Sequence, residues 1–275
     1  MKRWRCNHCN FLTWSANHSQ IRAAIKTHLL SHFADHLTKS DFRITWNCPY
    51  CETEKTIYDK AEAIADFKSH LYSHVKDNVH ENTHIGERLG WNGNLQINTP
   101  ADSREADTLR NHFHSHADLV IQITANPEAR IRLLHDELDD WPTRAVVVST
   151  DGNPFDARTE LDFSGTSMEL VELDTRLGPN DVGETVSRIL DVHHTDGMRT
   201  SVEVDIMNEI IQSFDLQTSC DFVRMLASRL EDVDGVFQLY VNPDAHRNIS
   251  TVLNFLEKEF DMTIRASQQQ IVRTN

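Results

Sequence analysis

Apolar residues recur along this chain at two different spacings. Near the N-terminus the spacing is helical. Ile21, Ile25 and Leu29 fall at i, i+4 and i+8, and Ala63, Phe67 and Leu71 hold the matching places 42 residues later. That period predicts two short amphipathic helices. From residue 117 onward, continuous apolar runs of strand length alternate with amphipathic stretches. Strands are expected at 118–124, 144–149, 168–173, 200–206, 235–241 and 262–265. Helices are expected at 127–138, 181–192 and 249–259, with further helical stretches between 207 and 230. Apolar runs alternating with helices imply a mostly parallel sheet covered on both faces. Between the two regions, residues 79–116 are polar and carry Gly86, Gly90, Gly93 and Pro100. They read as a linker, with a short hairpin around Trp91 to Ile97. The linker holds His80, His84, His112, His114 and His116. The cluster His112-Phe113-His114-Ser115-His116 could ligate a metal if it were a strand, but with no Cys or acid at matching spacing a solvated segment is expected.

The N-terminal region repeats itself. Trp4, Cys6, Cys9, His28, Leu29, Ser31 and His32 recur as Trp46, Cys48, Cys51, His70, Leu71, Ser73 and His74, always 42 residues on. In both copies 18 residues separate the second Cys from the first His, and three separate the two His. Two Cys on a tight turn present thiolates from one knuckle, and two His at i and i+4 sit on one helical face. Two sulfurs and two nitrogens make a closed tetrahedral site that suits zinc. Zn2+ is therefore expected twice per chain, on Cys6, Cys9, His28 and His32 and on Cys48, Cys51, His70 and His74. The apolar helix faces and the two tryptophans would cover the sites.

These motifs resemble the CCHH zinc-finger family over roughly residues 4–76, which implies zinc and contact with nucleic acid. The DNA-reading members have about a dozen residues between second Cys and first His, so the standard base-reading register does not carry over to a spacing of 18. The expected backbone contacts are Lys2, Arg3 and Arg5 in the lead-in, Gln20, Arg22 and Lys26 on the first helix, and Lys60 and Lys68 on the second.

Charge divides the chain at the same place. Residues 1–80 hold 11 basic against 8 acidic side chains, a net +3; residues 81–275 hold 16 against 34, a net −18. A basic end attracts a polyanion and an acidic part repels it. In the acidic part 15 of the 16 basic residues are Arg and 20 of the 34 acids are Asp. That balance resembles proteins of salt-loving archaea, where screening makes self-repulsion cheap. Four of the five cysteines are the paired ones, and Cys220 is expected as a small buried apolar group. The start of the chain shows no apolar signal core and no run is long enough to span a membrane. A reducing, cytoplasmic location is expected.

The order of elements over 117–266 resembles RecA/KaiC-like P-loop ATPase domains in a degenerate form. The features are the strand Val202-Glu203-Val204-Asp205 ending in an acid, the helical Phe222-Val223-Arg224-Met225-Leu226, the strand 236–241, Asn242-Pro243-Asp244, and the closing Phe260-Asp261-Met262-Thr263-Ile264. A P-loop needs Gly-x4-Gly-Lys-Ser/Thr after the first strand, where backbone N–H groups cradle phosphate. Here that position reads Thr124-Ala125-Asn126-Pro127-Glu128-Ala129-Arg130. The resemblance then implies a domain without ATPase activity, in which Asp205 merely ends a buried strand. No other catalytic set is found.

The sequence thus predicts an α/β protein with these parts: zinc finger 1 (1–40), zinc finger 2 (41–78), a polar linker (79–116), a RecA-like pseudo-ATPase domain (117–266) and a tail (267–275). The expected function is nucleic-acid binding, DNA before RNA, through residues 1–78 in a regulatory, transcriptional role. Residues 117–266 would bind a protein partner or self-associate, with no membrane involved. A protein–protein adaptor and a nucleotide sensor are the alternatives.

Overall fold

The computed structural model describes residues 1–138, 141–151, 167–173, 178–267 and 270–273. These form two compact units, residues 1–83 with 268–273, and residues 84–267.

The first unit holds both repeats. Strands β1 (Lys2–Arg5) and β2 (Leu12–Ser15) form a hairpin around the first Cys pair, and helix α1 (His18–His32) follows. Strands β3 (Leu37–Ser40), β4 (Arg43–Asn47) and β5 (Glu54–Ile57) form an antiparallel sheet, and helix α2 (Lys60–Ser73) follows the second pair. Both helices start on capping side chains. Asn17 accepts from the Ser19 N–H and Asp59 from the Glu62 N–H, each at 2.8 Å, satisfying N–H groups that have no partner inside the helix. Ile21, Ile25 and Leu29 of α1 and Ala63, Phe67 and Leu71 of α2 are all buried, as their period requires. The strands before each helix and three helical turns ahead of the first His account for the long Cys-to-His spacing.

Two sequence boundaries shift here. Residues 37–40, assigned to the first finger, form β3 and pair with β4 in the sheet of the second. Within the presumed tail, β13 (Gln270–Arg273) adds antiparallel to β2 and buries Ile271. A strand with an apolar residue to bury gains more from an open sheet edge than from solvent.

The second unit is built on a seven-stranded parallel sheet. After the four-residue helix α3 (Ile85–Arg88) come β6 (Gly93–Asn98), α4 (Arg104–His114), β7 (Leu119–Thr124), α5 (Pro127–Glu137), β8 (Arg144–Ser149) and β9 (Met168–Glu172). Then follow α6 (Pro179–His193), β10 (Thr200–Val204), α7 (Met207–Ser213), α8 (Leu216–Glu231), β11 (Gly235–Val241), α9 (Arg247–Phe255) and β12 (Met262–Ser267). The strand order is β12-β6-β11-β10-β7-β8-β9, every pair parallel. One face packs Leu119, Ile121, Val146, Val202, Phe237 and Leu239 against α6 to α9. The other packs Val120, Ala145 and Val147 against α5. Strands buried on both faces read as near-continuous apolar runs, which is why β7, β8 and β11 are legible in the sequence.

The linker reading fails. β6 lies inside the sheet between β12 and β11, and it is a single parallel strand rather than a hairpin. Its polar residues hid it: Asn94, Gln96 and Asn98 alternate with buried Leu95 and Ile97. Nor are the linker histidines all solvated. His84 and His114 are buried, and His84 stacks on Trp91 and His112.

Candidate metal centres

Each repeat brings its two Cys and two His together. In both sets the four ligand atoms lie within 4.8 Å of one another. The first knuckle is closed by the His8 N–H donating to Cys6 Sγ (3.3 Å) and the Phe11 N–H to Cys9 Sγ (3.4 Å). In the second, the Tyr50 N–H donates to Cys48 Sγ (3.4 Å), and Thr53 Oγ1 lies 3.2 Å from Cys51 Sγ. Hydrogen bonds from Thr53 lower the Cys51 thiol, while burial raises Cys6 and Cys48. A cation at the centre is what overrides such burial and holds thiolates.

The geometry tests the fit. About a tetrahedral zinc, bonds of about 2.3 Å to sulfur and about 2.0 Å to nitrogen place two nitrogens ~3.3 Å apart and nitrogen ~3.5 Å from sulfur. His28 and His32 Nε2 are 3.0 Å apart, and His70 and His74 Nε2 are 3.2 Å apart. The Sγ to Nε2 edges are 3.5 Å (Cys6–His32), 3.4 Å (Cys9–His28), 3.5 Å (Cys48–His74) and 3.3 Å (Cys51–His70). Two imidazole nitrogens and two sulfurs that converge this closely are placed to share a cation. Both Cys2His2 groups can hold a metal ion, and the donor set and edge lengths suit zinc. Ring packing fixes the imidazoles: Phe11 stacks on His28 at 3.8 Å, and Trp46 lies 5.0 Å from His70.

The two fingers share one core. Trp4, Ile25 and Leu29 of the first pack in one cluster with Trp46, Phe67 and Leu71 of the second. Their helices cross-link reciprocally. Lys26 donates to Ser69 Oγ (2.7 Å) and Lys68 to Thr27 Oγ1 (3.4 Å). Lys26 and Lys68 are the same position of the two repeats, as are Thr27 and Ser69. The helices therefore run antiparallel about a pseudo-twofold axis.

This seam gathers three of the nominated basic residues. Arg22 lies over the Tyr72 ring at 5.2 Å and Lys26 over the same ring at 6.0 Å. Burial lowers the Lys26 ammonium, and the charges of Arg22 and Lys68 lower it further. Among the described residues none of the three forms an ion pair with a carboxylate. The other nominees lie apart. Lys2 is ion-paired with Glu81, Gln20 accepts from Ser15, Arg3 and Arg5 lie on β1, and Lys60 is exposed at the start of α2.

The second unit holds a buried ionic network that sequence reasoning missed. Arg110 of α4 is ion-paired with Glu203 of β10, and its NH2 lies 3.2 Å from Asp205. Arg130 of α5 donates to Asp205 at 2.8 Å and to Asp102 at 2.9 Å. Thr124 donates to Asp205 at 3.0 Å and Gln122 to Glu203 at 3.1 Å. The Arg110 guanidinium also lies over the Tyr240 ring at 4.3 Å. Burial alone would raise Glu203, but the Arg110 charge, with His114 and Arg130, holds it well below the usual carboxylate range. Burial and the Glu203 charge push Asp205 up to about 6. Asp205 is thus not an idle strand-ending acid: it anchors two arginines at the carboxyl ends of β7 and β10. Only the identity of the residues was readable, since Arg110 fell in the presumed linker. A cleft of about 380 Å³ lies at the carboxyl ends of β7 to β9, lined among others by Ala125, Asp151, Val182, Glu209 and Phe214.

The fold and the sites define a protein with two Cys2His2 clusters, each able to hold a metal ion, and a parallel α/β domain. The chain belongs to the family of unknown function DUF7504, whose model matches residues 95–266. No curated protein matches. Among solved structures, the protein PH0250 of Pyrococcus horikoshii OT3 is 11% identical. It covers 70% of this chain and 91% of its own, with a TM-score of 0.45. An uncharacterized protein of Pyrococcus horikoshii, PH0321, solved in complex with an unknown peptide, is 15% identical. It covers 69% of this chain and 86% of its own, with a TM-score of 0.44. Among the described residues no helix is long and apolar enough to cross a membrane.

Proposed function

We propose that this is a zinc-binding regulatory protein whose paired fingers hold the backbone of a nucleic acid. The observation that carries the reading is the seam between α1 and α2. Repeat-equivalent Lys26 and Lys68, with Arg22, crowd there, and among the described residues no carboxylate pairs with them. A phosphate supplies the missing charge and releases counterions on binding. The seam also commits one flank of each helix to its neighbour, so the fingers present one joint surface in place of two separate reading helices.

The α/β domain serves in this reading as a non-catalytic partner-binding part, a degenerate relative of RecA/KaiC-like domains. What supports it is the turn after β7, where Asn126 caps α5 directly, and Arg130, which is spent on Asp205 and Asp102. An adaptor that binds only proteins is the second reading. Phe214 and Leu216, exposed beside each other at the start of α8, favour it.

The test is a salt titration of full-length protein with duplex DNA and with RNA. The double variant Lys26→Ala, Lys68→Ala should flatten the slope of log affinity against log salt by about two phosphate contacts, ~0.9 each on duplex. Absence of binding from low to multimolar salt, with two zinc ions retained, would promote the adaptor.

A further inference from the structure

The β3–β4–β5 sheet carries a feature that neither the zinc sites nor the α1–α2 seam uses. Its β3–β4 turn is Asp41-Phe42, with Asp41 at a φ of 54°. Phe42 is 87% exposed at the tip. Tyr58, just after β5, is 70% exposed, and Arg43 lies over its ring at 6.0 Å. Register explains the grouping. Ile44 pairs with Ile57 on the inner face, so the outward face carries Arg43, Thr45 and Thr56, with Thr38 opposite Thr45 on β3. This face has no apolar core of the kind a protein interface buries. It has the Tyr58 ring, an arginine and hydroxyls, with the Phe42 ring exposed at the turn that ends it.

Resting on the nucleic-acid reading above, we propose that this face is a stacking platform for unpaired bases of single-stranded RNA. Flat aromatic rings take a base of any sequence, and arginine adds its own planar cation. Arg43 brings a positive charge to this face beside the turn, within a region of net charge +3. The hydroxyls favour ribose. Thr38 already donates to the Thr45 carbonyl (3.3 Å), and Thr45 and Thr56 share a hydrogen bond (2.9 Å). Thr38 keeps acceptor capacity, and the accepting member of the Thr45–Thr56 pair keeps its own O–H. A ribose 2′-OH, donor and acceptor at once, can meet both, and a deoxyribose has no such group.

The experiment measures binding of the full-length protein to a 12-nucleotide single-stranded RNA, to DNA of the same sequence, and to the DNA duplex. The variants are Phe42→Ala with Tyr58→Ala, and Phe42→Trp as a conservative control. Both rings are exposed, so zinc content and far-UV circular dichroism should stay unchanged. The double alanine variant should lose on the order of tenfold per ring on single-stranded RNA, with duplex affinity unaltered, and Phe42→Trp should retain binding. Unchanged RNA affinity, or an equal loss on duplex, overturns the platform while leaving the seam standing. Single-stranded DNA bound as tightly as RNA overturns the ribose assignment. A wild-type protein that binds none of the three removes the underlying reading as well.

Discussion

His8 and Tyr50 hold the same position in the two repeats, and they meet: His8 Nε2 lies 3.1 Å from the Tyr50 hydroxyl. Equivalent positions touch each other only on a twofold axis. The reciprocal Lys26–Ser69 and Lys68–Thr27 bonds lie about the same axis. The tandem fingers are therefore a pseudo-dimer within one chain, folded around a common core.

Loss of one metal centre should therefore damage both. Cys48→Ser removes a buried ligand of the second centre. In units this small, metal binding and folding are one equilibrium. Trp4 and Leu29 pack in the same cluster as Trp46 and Phe67, so zinc content should fall from two per chain to below one. Elemental analysis of protein purified without chelator gives the count. A clean value of one would show that the fingers fold independently.

The buried network sets a second expectation. Glu203→Gln leaves the Arg110 guanidinium, fully buried, without its closest charge partner. Breaking a buried pair from one side costs about 3–5 kcal/mol. Urea unfolding of the full chain should show a loss of that order, and one below about 1 kcal/mol would refute the role of Glu203. Asp205→Ala, which strips Arg130 and Thr124 of an acceptor, should also destabilise. Neither variant should alter ATP hydrolysis, which is expected to be at background in the wild type.

Stability should fall with acid because of His84. Both of its ring nitrogens are committed. Nδ1 accepts from the Gly86 N–H at 3.0 Å, so Nε2 carries the proton toward the His112 carbonyl at 2.6 Å. A second proton on Nδ1 would face an N–H donor. Burial lowers His84 to about 4 and His112 well below the ordinary value. A folded value below the unfolded one contributes stability above pH ~6.5 that is lost as pH falls toward about 4, on the order of 3 kcal/mol for His84. Asp205, raised to about 6, works the other way: its contribution is present below its unfolded value and lost as pH rises through 6. The His84 effect is isolated by the difference between wild type and His84→Phe. The variant's unfolding free energy should depend less steeply on pH between 6.5 and 4, and an equal slope would contradict the assignment.

At the start of β6, Gly93 has a φ of 156°, and a Cβ there would lie 2.9 Å from Asp261 Oδ2. That carboxylate accepts from the Asn94 N–H at 2.8 Å. Gly93→Ala should cost about 1–3 kcal/mol, read as a lower urea midpoint. A neutral result would mean that β6 adjusts at no cost.

The two Cys2His2 groups, both finger helices and most strands of the second unit follow from the sequence by itself, because their determinants are local. A chelating knuckle spans four residues, a helix face repeats every four, and a doubly buried strand is a short apolar run. The repeat offset of 42 then singled out four ligands per site from among neighbouring histidines. Tertiary structure alone decided the rest. β6 looks polar in sequence because Asn94, Gln96 and Asn98 alternate with Leu95 and Ile97, and it becomes an inner strand only by pairing with β11 and β12. Arg110 reaches Glu203 across 93 positions. The meeting of Lys26 with Ser69 required two helices to pack in one relative orientation. Contacts of that kind leave no period in the chain: their energy depends on which faces become neighbours, and only the folded packing settles that.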